Sequence, residues 1–175
     1  MKHKLLYSMT LVLFAAGMMF GSNSDGSPAS ALDNDIREAI LSSPRYGIFD
    51  MVGYERNGDN VTLSGYVVMP VTSVEIVGSI KKIESISNVN NRIEVLPVSF
   101  NDSNIRWNIY NTLFRTADLY RYMLGSFPSI RIIVKNSSVM LEGFVDNKLD
   151  KSMAFLIVRG LPGILSIQNN LIISE

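Results

Sequence analysis

Val61-Thr62-Leu63-Ser64-Gly65-Tyr66-Val67 opens a stretch, residues 61–95, that the chain uses twice. Shifted by 78 positions without a gap, it lies over residues 139–173, which begin Val139-Met140-Leu141-Glu142-Gly143-Phe144-Val145. Val61, Leu63, Gly65, Val67, Ile86 and Asn91 recur as Val139, Leu141, Gly143, Val145, Ile164 and Asn169, and Tyr66, Ile83, Val89, Ile93 and Val95 recur as Phe144, Leu161, Ile167, Leu171 and Ile173. Two copies of one small structural unit follow from such self-similarity. Within each copy the apolar residues alternate with period two, the pattern of a strand with one buried face.

Working outward from this stretch, Asn57-Gly58-Asp59-Asn60 is a turn cluster, so the strand from Val61 is the return arm of a β-hairpin whose first arm begins near Ile48. Upstream, Asp33-Asn34-Asp35 offers helix caps ahead of Ile36, Ala39 and Ile40, and Ser43-Pro44 stops that helix. Downstream, Pro70 suits a first helical turn, with Val74, Val77, Ile80 and Ile83 as the apolar side of a helix reaching about Glu84. Residues 89–95 form the last strand. The second copy repeats the order. Asn101, Asp102 or Ser103 caps a helix carrying Ile105, Ile109 and Leu113; Ile130, Ile132 and Val134 lead to a turn at Asn136-Ser137-Ser138; residues 147–160 form a helix stopped by Pro162-Gly163, and residues 167–173 close the sheet. Each unit therefore reads helix, strand, strand, helix, strand. The fold predicted is α+β, two modules each with a small mixed three-stranded sheet covered on one face by two helices. Their boundaries are 32–96 and 102–175, joined by a short, stiff linker at 97–101. The second module carries nine extra residues between its first helix and its hairpin, around Asp118 to Ser126.

Ahead of the modules stand Lys2, His3 and Lys4, an almost uncharged run from Leu5 to Phe20, and Ala29-Ser30-Ala31. Positive end, apolar middle and small-residue box form the pattern of a secretory signal peptide over residues 1–31. Cleavage is expected after Ala31, with Phe20-Gly21-Ser22 as another site and a retained membrane anchor as the alternative to cleavage. The expected location is the periplasm or the exterior. Removing residues 1–31 leaves 14 basic and 15 acidic side chains, so no bulk charge attracts nucleic acid.

The missing residue types narrow the chemistry. The chain has no cysteine, and its one histidine, His3, lies in the leader. Cys/His metal sites, Ser-His triads, thiol redox work and disulfides are thereby excluded from the modules. Neither of the common glycine-rich nucleotide loops is present. The catalytic options that remain are carboxylate pairs, lysine or tyrosine, and no cofactor or metal is expected.

The two hairpin strands, together with Pro162-Gly163-Ile164 and Asn169-Asn170-Leu171-Ile172-Ile173, resemble the BON domain, over roughly 33–95 and 102–173. The resemblance implies tandem BON domains of a bacterial envelope protein, with no catalytic residues and an association with phospholipid membranes. It also implies two departures. Glu84-Ser85-Ile86 stands where the family has a glycine, which asks a residue less tolerant of positive φ to make that helix exit. Without cysteine, the lipid anchor of the lipoprotein members is absent.

The candidate binding region is the first helix of the second module with its extension. Between Ser103 and Lys135 lie five basic residues against one acid, Asp118, and six aromatic residues. At about 100° per residue the apolar and aromatic side chains spread over about 200° of the helix, more than one core covers. Arg106, Trp107, Tyr110, Phe114, Arg115, Tyr120 and Arg121 are the candidates for contact with a phospholipid surface, against the simpler reading in which Trp107 and Phe114 pack on the first module. A protein-protein or cell-wall scaffold in the periplasm is the alternative function, and a nucleic-acid surface is disfavoured by export. Gly65 and Gly143 are expected where a helix crosses the sheet, Gly163 in a helix-ending turn, and Asn91 and Asn169 at the start of the last strands. Asp50, Glu55 and Asp59 could meet a cation but read by default as solvated. Lys81, Lys82, Lys148 and Lys151 read as wet helix faces.

Overall fold

The computed structural model describes residues 28–174; the apolar run of the expected signal peptide lies outside them. The first module comprises α1 (Pro28–Leu41), β1 (Met51–Asn57), β2 (Asn60–Val67), α2 (Pro70–Ile80) and β3 (Asn88–Val95). The second comprises α3 (Phe100–Arg115), a 3-10 turn (Tyr120–Met123), β4 (Ile130–Lys135), β5 (Ser138–Val145), α4 (Lys148–Arg159), β6 (Ser166–Asn169) and β7 (Ile172–Ile173). In each, the hairpin is antiparallel and the last strand joins its return arm in parallel, giving the order β1-β2-β3 and its counterpart β4-β5-β6. The α+β repeat and its mixed sheets are as the alternation of residues 61–67 and 139–145 requires.

Each core fills the space between a sheet's inner face and two helices. Ile36, Ile40, Leu63, Val67, Ile76 and Ile80 anchor the first, and Ile105, Ile109, Leu113, Ile132, Leu141 and Val158 the second. Burying such an aliphatic side chain contributes about 1.5–3 kcal/mol.

Several local expectations are corrected. The first helix extends back to Pro28, so Asp33 is not its cap; its carboxylate instead accepts from Arg56 Nε at 2.9 Å. Helix α2 ends at Ile80, and its buried face is Thr72, Ser73, Ile76 and Ile80, leaving Val74 70% exposed. Ser99 caps α3, accepting from the Asp102 N–H at 3.1 Å. Asp102 reaches across to the β4–β5 hairpin, where its two oxygens accept the N–H groups of Asn136 and Ser137 at 2.8 and 2.9 Å. Those two residues are the left-handed pair of the turn, at φ 51° and 62°. The exit of α2 needs no positive φ at all, because consecutive short turns through Lys82, Ile83 and Ile86 carry the chain to β3. The last strand of module two is split at Asn170, whose N–H bonds Leu141 O at 2.9 Å between β6 and β7.

Gly65 and Gly143 owe their identity to a strand, not a helix. Both have positive φ, 125° and 108°, and a Cβ on either would stand 2.0 Å from Met51 O or 1.9 Å from Ser129 O on the adjoining chain. Asn91 and Asn169 lie within or at the end of their strands. Each accepts from the N–H two residues on, and each donates its amide to the second helix, to Ser73 Oγ at 3.1 Å or Lys151 O at 2.9 Å. Gly163 has φ 83° in the turn after α4, packed on Ile105.

Candidate functional site

Along α3 the aromatic side chains form a continuous ladder. Starting on the loop after α1, Phe49 meets Trp107 edge to face at 5.1 Å between ring centroids, Trp107 meets Tyr110 at 5.6 Å, Tyr110 stacks on Phe114 at 5.7 Å, and Phe114 meets Tyr120 at 5.3 Å. Spacing of three and four residues brings Trp107, Tyr110 and Phe114 onto one stripe. Edge-to-face and offset contacts of this kind are worth about 0.5–1.5 kcal/mol each beyond the area they bury. The ladder is half wet: Trp107 is 54% exposed, Phe114 38% and Tyr120 44%. Trp107 thus touches module one through Phe49, whereas Phe114 packs on its own neighbours.

The arginines separate into three roles. Arg106 is buried at 4% exposure, donates to Val134 O at 2.6 Å, and is pushed down in pKa by burial. It holds α3 to β4 and is out of reach of any surface. Arg121 is exposed but engaged, bonding Asp146 at 3.1 Å, Asp150 at 2.6 Å and Tyr122 Oη at 2.8 Å. That cluster clamps the extension onto the start of α4, where Asn147 accepts from the Asp150 N–H at 2.9 Å. Arg115, on the exposed side of α3, has no ion-pair partner among the described residues. Of the seven candidates the structure keeps Trp107, Tyr110, Phe114 and Tyr120 along one line, leaves Arg115 exposed about 100° round the helix from Phe114, and gives Arg106 and Arg121 structural partners.

The extension lies at the exit of α3 and folds inward. Leu119, Tyr122 and Met123 enter the second core. Tyr122 Oη donates to Asp150 Oδ2 at 2.5 Å and accepts from the Asp146 N–H at 2.9 Å.

A second constellation, at the joint between the modules, was not legible from spacing. The Gly47–Asp50 loop of module one lies against β4: Ile132 N–H donates to Ile48 O at 2.9 Å, and Arg131 donates to Gly47 O at 2.8 Å while its guanidinium sits 5.0 Å from the Tyr46 ring centroid. The loop thereby covers the open edge of β4, which would otherwise invite pairing with another chain. Lys135 pairs with Glu94 of β3. Between Arg131 and Lys135 on the same face, Ile133 is fully buried. Asp50 is no cation ligand; its oxygens accept the Gly47 and Val68 N–H groups at 2.8 and 2.7 Å, and burial raises its pKa. No acidic cluster able to hold a metal occurs among the described residues, and none of their helices is long and apolar enough to cross a membrane.

The BON domain model matches residues 29–97 and again residues 101–175. No curated protein matches the chain. Among solved structures, it is similar at 12% identity to CdsD, a structural protein of the type III secretion system of Chlamydia trachomatis, covering 83% of this chain and 94% of that one with a TM-score of 0.32. The C-terminal domain of CdsD aligns at 11% identity over 82% of this chain and 98% of its own, with a TM-score of 0.29. The two family matches together take in nearly every described residue, and the chain belongs to the BON-domain family as a tandem pair.

Proposed function

We propose that this is an exported, non-catalytic envelope protein that binds a phospholipid surface through α3 of its second module. BON domains are a non-catalytic binding family associated with phospholipid membranes and envelope proteins. The observation that carries the reading is the wet half of the aromatic ladder, with Arg115 exposed on the same helix. Trp107, Phe114 and Tyr120 offer rings that sit well at headgroup depth, and Arg115 offers a guanidinium to a lipid phosphate. The rings are held by one another and by Phe49, so little side-chain freedom would be lost on contact.

Flotation of the purified protein with vesicles containing an anionic phospholipid tests this. Trp107→Ala combined with Arg115→Ala should abolish flotation while leaving the circular dichroism spectrum unchanged. Undiminished flotation of the double variant would refute it, and retention only on envelope extracts, never on pure vesicles, would favour the scaffold alternative. β3 supports that alternative to a lesser degree, because it leaves an eight-residue edge at the side of the first sheet.

A further inference from the structure

Between the modules lies a cavity of about 260 Å³, walled by α1 and the outer edge of β1 on one side and by residues 127–131 with Phe144 on the other. It exceeds the roughly 150 Å³ apolar cavity that accepts a benzene and approaches the roughly 300 Å³ of a small ligand pocket. Its walls are mainly apolar, with Ile40, Leu41, Val52, Phe127 and Phe144 contributing. Into this lining comes one buried cation, Arg131, at 7% exposure.

Arg131 has five N–H donors to satisfy. The structure gives it one hydrogen bond, to Gly47 O, and the face of Tyr46. Among the described residues no carboxylate lies within ion-pairing distance of it. Asp50 contributes favourable field, but both of its oxygens are already taken by backbone N–H groups. The other guanidinium nitrogens of Arg131 are not sealed from solvent, and its flat fork matches a carboxylate or phosphate. Arg37 of α1 adds a second positive charge to the same lining.

We infer that the joint cavity binds a single-chain anionic amphiphile, its carboxylate or phosphate-monoester head on Arg131 and its alkyl tail along the apolar wall. The volume suits one chain. This site is independent of α3 meeting a membrane: the ladder and the cavity use different residues.

Titration calorimetry of the purified protein with decanoate, decyl phosphate and decanol, each below its self-association concentration, provides the test. At least one anion should bind, and at least tenfold more tightly than the alcohol; which one does so separates a fatty-acid source from a phosphorylated one. Inorganic phosphate alone should give no heat, since the tail is part of the ligand. Arg131→Gln should bring the anion down to the level of decanol and leave decanol unchanged. Decanol binding as tightly as either anion, or no binding of an anion at roughly millimolar concentration, would overturn the inference. The unmodified protein decides this preference even if the glutamine variant does not fold. A protein that floats with vesicles yet ignores both monomeric anions loses the cavity site and keeps the α3 surface; the converse result separates them the other way.

Discussion

Just beyond the hairpin, at equivalent positions, the two modules satisfy one backbone N–H by different means. Val68 N–H donates to the carboxylate of Asp50 at 2.7 Å, and Asp146 N–H to the hydroxyl of Tyr122 at 2.9 Å. The hairpin turns differ likewise. In module one Asp33 pairs with Arg56, which in turn donates to Gly58 O; in module two Asp102 accepts the turn N–H groups directly. The first module needs a glycine at that turn, whereas the second places Asn136 and Ser137 at positive φ because a buried carboxylate holds them there. What the copies share is what the sheet demands: a glycine against a neighbouring carbonyl, and an asparagine tying the last strand to the second helix. What differs is how each copy meets its remaining polar groups. The Thr116–Ser129 segment lets module two close its own core with Leu119, Tyr122 and Met123, while the shorter loop of module one sends Ile48 and Phe49 into its partner's packing.

The shared glycines are the place where the comparison can be broken most severely. Gly143→Ala and Gly65→Ala should each cost more than about 3 kcal/mol, since a Cβ meets a backbone oxygen and φ is positive at both. Urea unfolding that shows either substitution tolerated would remove the strand-contact explanation. Next in size, Asp102→Ala should cost about 2–4 kcal/mol by leaving two turn N–H groups without an acceptor and Arg106 with only Asp50 as a nearby anion. Asp33→Ala should cost only about 0.5–1 kcal/mol, because the Asp33 and Arg56 side chains are 31% and 21% exposed and screened.

A smaller effect separates the two carboxylates of module one by pH. The hydrogen bond from Arg56 lowers the pKa of Asp33, so its contribution is present above the unfolded value of about 3.9 and is lost as pH falls through the lower folded one. Burial raises the pKa of Asp50, which reverses the sign: the fold gains relative stability as pH falls through that raised value towards about 3.9. Unfolding midpoints measured against pH should therefore fall less in acid for Asp33→Asn than for the unmodified protein, and gain less as pH falls towards about 3.9 for Asp50→Asn. Smallest is a repair. Helix α2 starts at Met69-Pro70 without a side-chain cap, where α4 has Asn147. Met69→Asn should add up to about 0.5 kcal/mol in the same unfolding assay if the two helix starts are interchangeable.

Much of the fold was readable because it is local. Gly65 and Gly143 stood out at matched positions, and the alternation around them assigned the inner faces of β2 and β5 correctly. The failures were long-range. Asp33 and Asp102 look like helix caps in sequence, since Asp next to a helical pattern has that preference, but each carboxylate meets a partner more than twenty residues away. Arg106 looked like a surface charge until the register of α3 on β4 placed it under Val134 O. The aromatic stripe from Trp107 to Phe114 was visible as helical spacing; its continuation to Phe49 and Tyr120 depends on two loops that no periodicity describes.

Periodicity, glycine placement and turn chemistry require contact only between near neighbours, and these sufficed for two α+β modules and for their family resemblance. The pairing of Arg131 with Gly47 and Tyr46, the cover that Ile48 gives to β4 and the cavity between the modules were set by the packing of one copy on the other, and the division of the arginines into buried, clamped and exposed by the tertiary packing within the second copy. Burial and hydrogen bonding at that joint unite residues more than eighty positions apart, as Gly47 and Arg131 are. Their energies therefore depend on a geometry that exists only after both cores have formed.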